Sequence, residues 1–306
     1  MADNTVFDSV FKTMLHKAPK LIVPFINEVF GRNYPDDAPV VQFSSEHAGL
    51  RGSIIDDSVF RVGEKIYHIE CQSTPDANMV VRMIEYDFSI ALEQALAGGP
   101  PFRLEFPASC VLFLRHTHST PDVLHMEVRL PDGDSFEYKV KVVKAQAYSK
   151  DDLFDRKLLL LLPYYFMRYE RELSKIARDD ERTWALLAEC SDLRLRLEAA
   201  MLRADDTVLY EELVELIIRV SDHILEAHKA LQGKVRGAMG GEVLELVHER
   251  AAREGRAEGR AEGHDEMLRI VAEQLAELGV SEDVIEMATA AARDRLDETS
   301  GAPKNE

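Results

Sequence analysis

The residues best suited to chemistry lie in the run Ile-Ile-Asp56-Asp57-Ser-Val-Phe-Arg61-Val-Gly-Glu-Lys-Ile-Tyr-His68-Ile-Glu70-Cys-Gln72. Two parts of it, Ser53–Val62 and Lys65–Cys71, read as strands joined by a short turn at Gly63-Glu64. Side chains alternate along a strand, so His68, Glu70 and Gln72 share one face and Ile69 and Cys71 the other. If the two strands pair as a hairpin, one aspartate of the Asp56–Asp57 pair converges with Glu70. Two carboxylates meeting at a sheet end make a hard oxygen site for Mg²⁺ or Mn²⁺. Such an ion polarises a phosphate and lowers the pKa of a bound water, and Gln72 would aim a third polar group at that water. Two adjacent acids repel unless a cation or proton neutralises them. Spacing alone leaves two matters open. The set can equally be two surface acids and a solvated glutamine, and the alternation does not say where the strand kinks, so Asp56 stands as runner-up to Asp57.

The elements that must position these residues are legible in the pattern. Val10, Phe11, Met14 and Leu15, then Leu21, Ile22, Phe25, Ile26 and Phe30, recur at helical spacing and predict helix over 6–31, closed by Gly31. Asp8 is a candidate helix cap or a remote acid at the site. Residues 33–48, with Pro35, Asp36, Asp37 and Pro39, predict a loop. A helix is expected from Pro75 through Ala97, stopped by Gly98-Gly99-Pro100-Pro101. On it, Arg82 and Tyr86 stand one turn apart on one face, either reaching toward the acids or forming a surface ion pair beside a core tyrosine. Residues 108–115 read as a buried strand, and Met126–Leu130 with Phe136–Val143 as a hairpin around an Asp-Gly turn. Beyond Lys150 helices are expected over 151–178, 180–204, 206–232 and 240–293. The order predicts an α/β core with a mixed central sheet over 1–150, a helical region over 151–239 packing on it, and a helical tail over 240–306 with a polar, disordered end.

The tail carries Arg253-Glu-Gly-Arg-Ala-Glu-Gly-Arg-Ala-Glu-Gly-His264, which sets Gly255, Gly259 and Gly263 four apart, followed by Met267, Ile270, Val271, Leu275 and Leu278 at helical spacing. A glycine stripe of this kind suits a close helix–helix contact between protomers, or else a solvated connector.

Composition narrows the classes. A hydrophobic content of 46 % is ordinary for a globular protein, and no apolar run approaches the length of a membrane span. The first residues lack the basic start and apolar block of a signal sequence. Three widely spaced cysteines without a CxxC pair fit reduced thiols, so a cytoplasmic chain is expected. The net charge of −18 opposes polyanion binding by the surface as a whole. Residues 1–150 hold 15 basic and 20 acidic side chains against 22 and 35 in the remainder, so repulsion is weakest in the N-terminal half. No HExxH, GxSxG, Walker A or GxGxxG pattern occurs. His116-Thr-His118 reads as a solvated loop rather than a metal pair, and Trp184 as helical core.

These residues resemble the PD-(D/E)XK nuclease superfamily, and within it the Rpn family of recombination-promoting nucleases and transposase-like proteins. The likeness covers most of the chain: Asp8-Ser-Val-Phe11-Lys12, the Asp57…Ile-Glu70-Cys-Gln72 core, Arg82-Met-Ile-Glu-Tyr86, Tyr148-Ser-Lys-Asp-Asp-Leu-Phe, Leu161-Leu-Pro163-Tyr-Tyr-Phe-Met-Arg168-Tyr-Glu170, and the Gly-Arg-Ala-Glu repeats. It implies a restriction-endonuclease-like core, an all-helical C-terminal region and Mg²⁺-dependent cleavage of DNA. Asp57 and Glu70 would bind the metal, Gln72 would stand where the wider superfamily has lysine, and Arg82 would join the catalytic group. An uncharged amide cannot stabilise an oxyanion as lysine does, which is a real departure. The alternative is a weak or inactive nuclease-fold scaffold that acts through its acidic helices.

Overall fold

Gly63 turns the chain in an exposed hairpin. Its φ of 61° is a conformation that side-chain-bearing residues rarely adopt, and it lets Val62 pair directly with Lys65. The strands it joins are β2 (Gly52–Val62) and β3 (Lys65–Gln72). The computed structural model describes residues 3–240 apart from 50, 51 and 205, and side chains other than those of 3–5, 44–57 and 203. One unit runs from Met1 to Gly241 and another from Glu242 to Glu306. The glycine stripe and the amphipathic stretch of the tail therefore lie outside the described residues.

The chain opens with α1 (Asp3–Lys17), a 3-10 turn at Pro19–Leu21, and α2 (Ile22–Phe30), which ends on Gly31 at φ 62°. β1 (Val40–Gly49) follows, then β2, β3, α3 (Met79–Gly98), β4 (Ala108–Phe113), β5 (Val123–Arg129) and β6 (Ser135–Lys144). The six strands form one mixed sheet in the order β1-β2-β3-β4-β6-β5. β3, β4 and β6 run parallel, while β1–β2, β2–β3 and β5–β6 are antiparallel.

The loop expected over 33–48 is half strand. Pro35, Asp36 and Pro39 confine the loop to its first part, and Val40, Val41 and Phe43 then pair along β2. The tertiary partner outweighs the local turn signals. Phe43 pairs with Val59 but Ser45 pairs with Asp56, so residues 57 and 58 of β2 stand against the single residue 44. That is a β-bulge, a local kink in the strand.

α3 covers one face of the sheet, where Met79 and Met83 pack on Val111, Phe113, Tyr138 and Val140. α1 packs toward β2 and β3 through buried Phe7, Val10, Phe11 and Met14. Tyr164 donates to the Phe7 carbonyl at 3.0 Å and joins α1 to the C-terminal helices.

Those helices differ from expectation over 151–178. Instead of one helix there are α4 (Lys150–Asp155), a 3-10 segment (Leu159–Tyr169) and α5 (Leu173–Ile176). Pro163 has no N–H for an α-helical bond, and Lys157 at φ 55° reverses the chain. Every residue from Leu158 to Met167 is buried, so no amphipathic helix face exists there. α6 (Asp180–Ala204) follows. The single helix expected over 206–232 is two, α7 (Thr207–Ile224) and α8 (Lys229–Ala238).

Trp184 was expected in the core but is 74 % exposed. The inner stripe of α6 is Thr183, Leu186, Cys190, Leu193, Leu197 and Met201, and residue 184 falls outside it. Cys71, Cys110 and Cys190 are free thiols. Among the described residues no helix is long and apolar enough to cross a membrane.

Candidate functional site

Glu70 and Gln72 point from the last turn of β3's pleat toward α3, and Arg82 comes down from the start of that helix. Gln72 Nε2 donates to Glu70 Oε1 at 2.8 Å, and Arg82 Nη2 donates to the same oxygen at 2.9 Å. Arg82 also lies 4.0 Å from Asp76 and 5.8 Å from the centre of the Tyr86 ring. Burial pulls the Arg82 pKa down, but the hydrogen bond with Tyr86 and the charges of Glu70 and Asp76 outweigh it and hold it above its ordinary value. The guanidinium is thus a fixed cation, with Tyr86 supporting it one turn along the helix. The structure brings Glu70, Gln72, Arg82 and Tyr86 together.

Asp56 and Asp57 are backbone members of β2, at and beside its bulge. Their side chains lie outside the described residues. Among the described residues no group of three or more His, Cys, Asp or Glu side chains is arranged to hold a metal.

Asp8 does not start a helix. α1 begins at Asp3, so the cap reading fails, and Asp8 instead pairs with Lys12 at 3.3 Å, one turn on. Its charge acts on the Cys71 thiol and on Tyr164. Cys71 alternates with Glu70 along β3, so Asp8 acts on the opposite face of the strand. Burial, then the charges of Glu70 and Asp8, push the Cys71 thiol well above its ordinary pKa. A thiol held neutral is a poor nucleophile.

A second polar group lies behind Glu70 and was not foreseen. His68 shares the Glu70 face and is fully buried, with Nδ1 2.7 Å from Asp87 Oδ1. Tyr138 of β6 donates to Asp87 Oδ2 at 2.5 Å. Burial, with the charge and hydrogen bond of Asp87 behind it, drives the Tyr138 pKa far above its ordinary value. The signal for Asp87 was present in the sequence. It continues the buried stripe Met83, Asp87, Ile90 and Ala91, where an acid is out of place unless partnered.

What the site can do chemically follows from its donor set. Glu70 offers a hard carboxylate oxygen at the carboxyl end of a parallel strand, where α/β sheets place ligands. Gln72 adds a neutral amide and Arg82 a permanent cation suited to phosphate. Such a set fits a hard divalent ion if a second carboxylate joins it. Comparison with family models, curated proteins and solved structures returns no match.

Proposed function

We propose that this chain is a metal-dependent DNA endonuclease of the recombination-promoting nuclease type, with Asp57 and Glu70 holding Mg²⁺ or Mn²⁺. The observation that carries the reading is the convergence of Gln72 and Arg82 on Glu70 Oε1, at 2.8 and 2.9 Å, at a strand end within the order α1-α2-β1-β2-β3-α3-β4. Support for Asp57 over Asp56 comes from the backbone. Val59 pairs with His68 in antiparallel register, so two further steps would bring position 57 abreast of Glu70. The bulge at 57–58 is the kind of irregularity that re-aims a strand side chain beside a site.

When bound, the metal would polarise the scissile phosphate and acidify a water. Gln72, fixed against Glu70, orients that water through its amide. Arg82 neutralises charge that builds on the phosphate oxygens, and Tyr86 holds the guanidinium in place. A second reading, a scaffold with weak or no catalysis, draws on the same contacts. Arg82 already satisfies Glu70, and a cation entering the site must compete with it. Supercoiled plasmid incubated with purified protein, with and without Mg²⁺, decides between them. Metal-dependent nicking supports the nuclease, and its absence in folded protein supports the scaffold.

A further inference from the structure

We infer that His116, His118, Lys144 and Arg171 form a ledge that binds backbone phosphates of the DNA strand next to the Glu70 centre, an inference that rests on the nuclease reading for the identity of that strand. The geometry begins with the sheet. β3, β4 and β6 are parallel, so their carboxyl ends share one edge. Gln72 pairs with Phe113 and Phe113 with Lys144, which sets the three in one row on the face that α3 covers. Lys144 therefore stands two strand spacings from Gln72, roughly 10 Å. Along one DNA strand that is about three base steps of rise.

The chain leaving β4 stays at this edge. Leu114 N–H donates to the Gln72 carbonyl at 2.9 Å and Arg115 N–H to the Ser73 carbonyl at 3.0 Å. Arg115 then grips Glu170 with two bonds of 2.6 Å, and is committed to that structural role. The next residue, Arg171, is exposed. His116 follows Arg115 directly, is partly covered, and its buried Nδ1 has no hydrogen-bond partner among the described residues. A buried nitrogen without a partner is costly unless a ligand or water meets it.

The electrostatics agree. Burial, and then the positive charges of Lys144, His118 and Arg171, hold the His116 pKa below its ordinary value. His116 thus feels the charges of Lys144, His118 and Arg171 together. The acids at this edge include, besides Glu70, Glu170, held by Arg115, and Asp122, which meets Lys144 at 2.7 Å. The Lys144 side chain is 20 % exposed and Asp122 88 % exposed, so a phosphate reaching Lys144 must displace Asp122 from the solvent side. Hydroxyls complete the loop, with Thr117 Oγ1 2.9 Å from Ser119 Oγ and Thr117 N–H donating to Thr120 Oγ1 at 3.0 Å. In a chain of net charge −18 a polyanion needs such a local cluster to dock.

The test is binding of the full-length protein to a short fluorescein-labelled DNA duplex in EDTA, read by anisotropy across a salt series. Lys144→Ala and Arg171→Ala, singly and together, should weaken binding several-fold and flatten the salt dependence by about one unit per cation removed. His118→Ala, on an exposed side chain, should add to the loss, and all variants should unfold at the wild-type temperature. Inorganic phosphate is the second arm. Phosphate should displace DNA from wild type beyond chloride of equal ionic strength and lose that advantage in the double variant, whereas phosphate binding at the ledge without duplex binding would assign it to free phosphate and overturn the DNA assignment. Wild-type protein that does not bind the duplex, or a folded double variant with unchanged affinity and salt slope, would overturn it too. The two readings separate cleanly. Lost binding in the variants with no Mg²⁺-dependent cleavage by wild type removes the nuclease and leaves the ledge. Cleavage by wild type and variants alike removes the ledge alone.

Discussion

Asp87 and His68 are both almost fully buried and face each other at 2.7 Å, a contact that ties α3 to β3 just behind the Arg82–Glu70 pair. Tyr138 adds a third element by donating to the same carboxylate from β6. Removing the Asp87 carboxylate strands two buried groups, each worth about 1–3 kcal/mol when left unsatisfied. Asp87→Ala should therefore lower stability by several kcal/mol in chemical denaturation, and Asp87→Asn by less, because an amide keeps an acceptor for the Tyr138 hydroxyl. A stability for Asp87→Ala within about 0.5 kcal/mol of wild type, the range of an ordinary surface change, would mean that this network does not hold the helix to the sheet.

Glu70→Ala should abolish metal-dependent nicking while the protein stays folded. The Arg82 side chain is 34 % exposed, so its guanidinium keeps contact with water when the Glu70 carboxylate is removed. Nicking by the mutant equal to that of wild type, in clean preparations, would remove Glu70 from the chemistry.

Gln72→Lys should keep or raise activity. The two side chains are similar in length, and Gln72 Nε2 already donates to Glu70 Oε1 at 2.8 Å. A lysine ammonium can make that same contact while supplying the cation that the wider superfamily resemblance implies. Plasmid nicking rates beside a metal titration read the outcome. A folded, metal-binding mutant with no activity would assign Gln72 a different task.

Much of this site was legible because a strand repeats every two residues. The period alone put His68, Glu70 and Gln72 on one face, and Gly63-Glu64 located the hairpin turn correctly. The one-turn spacing of Arg82 and Tyr86 likewise foretold their contact. What escaped depends on partners distant in sequence. β1 exists because β2 offers it a ladder, which local turn residues conceal. The 3-10 run Leu159–Tyr169 is buried all round, so its apolar residues carry no helical period. The Lys144 row could not be read either, since it depends on β6 inserting between β4 and β5.

The chain from Glu242 onward forms a separate unit, and it should drive self-association without contributing to the chemistry. Its sequence motivates this. Gly255, Gly259 and Gly263 give a smooth stripe for a close helix contact, and Met267, Ile270, Val271, Leu275 and Leu278 follow at helical spacing. Burying such side chains contributes roughly 1.5–3 kcal/mol each, against about 1 kcal/mol lost per helical glycine. A partner helix from a second copy offsets that cost more than solvent can. Glu70, Gln72 and Arg82 all lie in the unit that closes at Gly241. Sedimentation of the full-length protein should accordingly show an oligomer at micromolar concentration, and a truncation after Gly241 a monomer that still nicks DNA. If both are monomeric, the stripe is not a contact between copies. If the truncation is folded but inactive, the tail belongs to the active module.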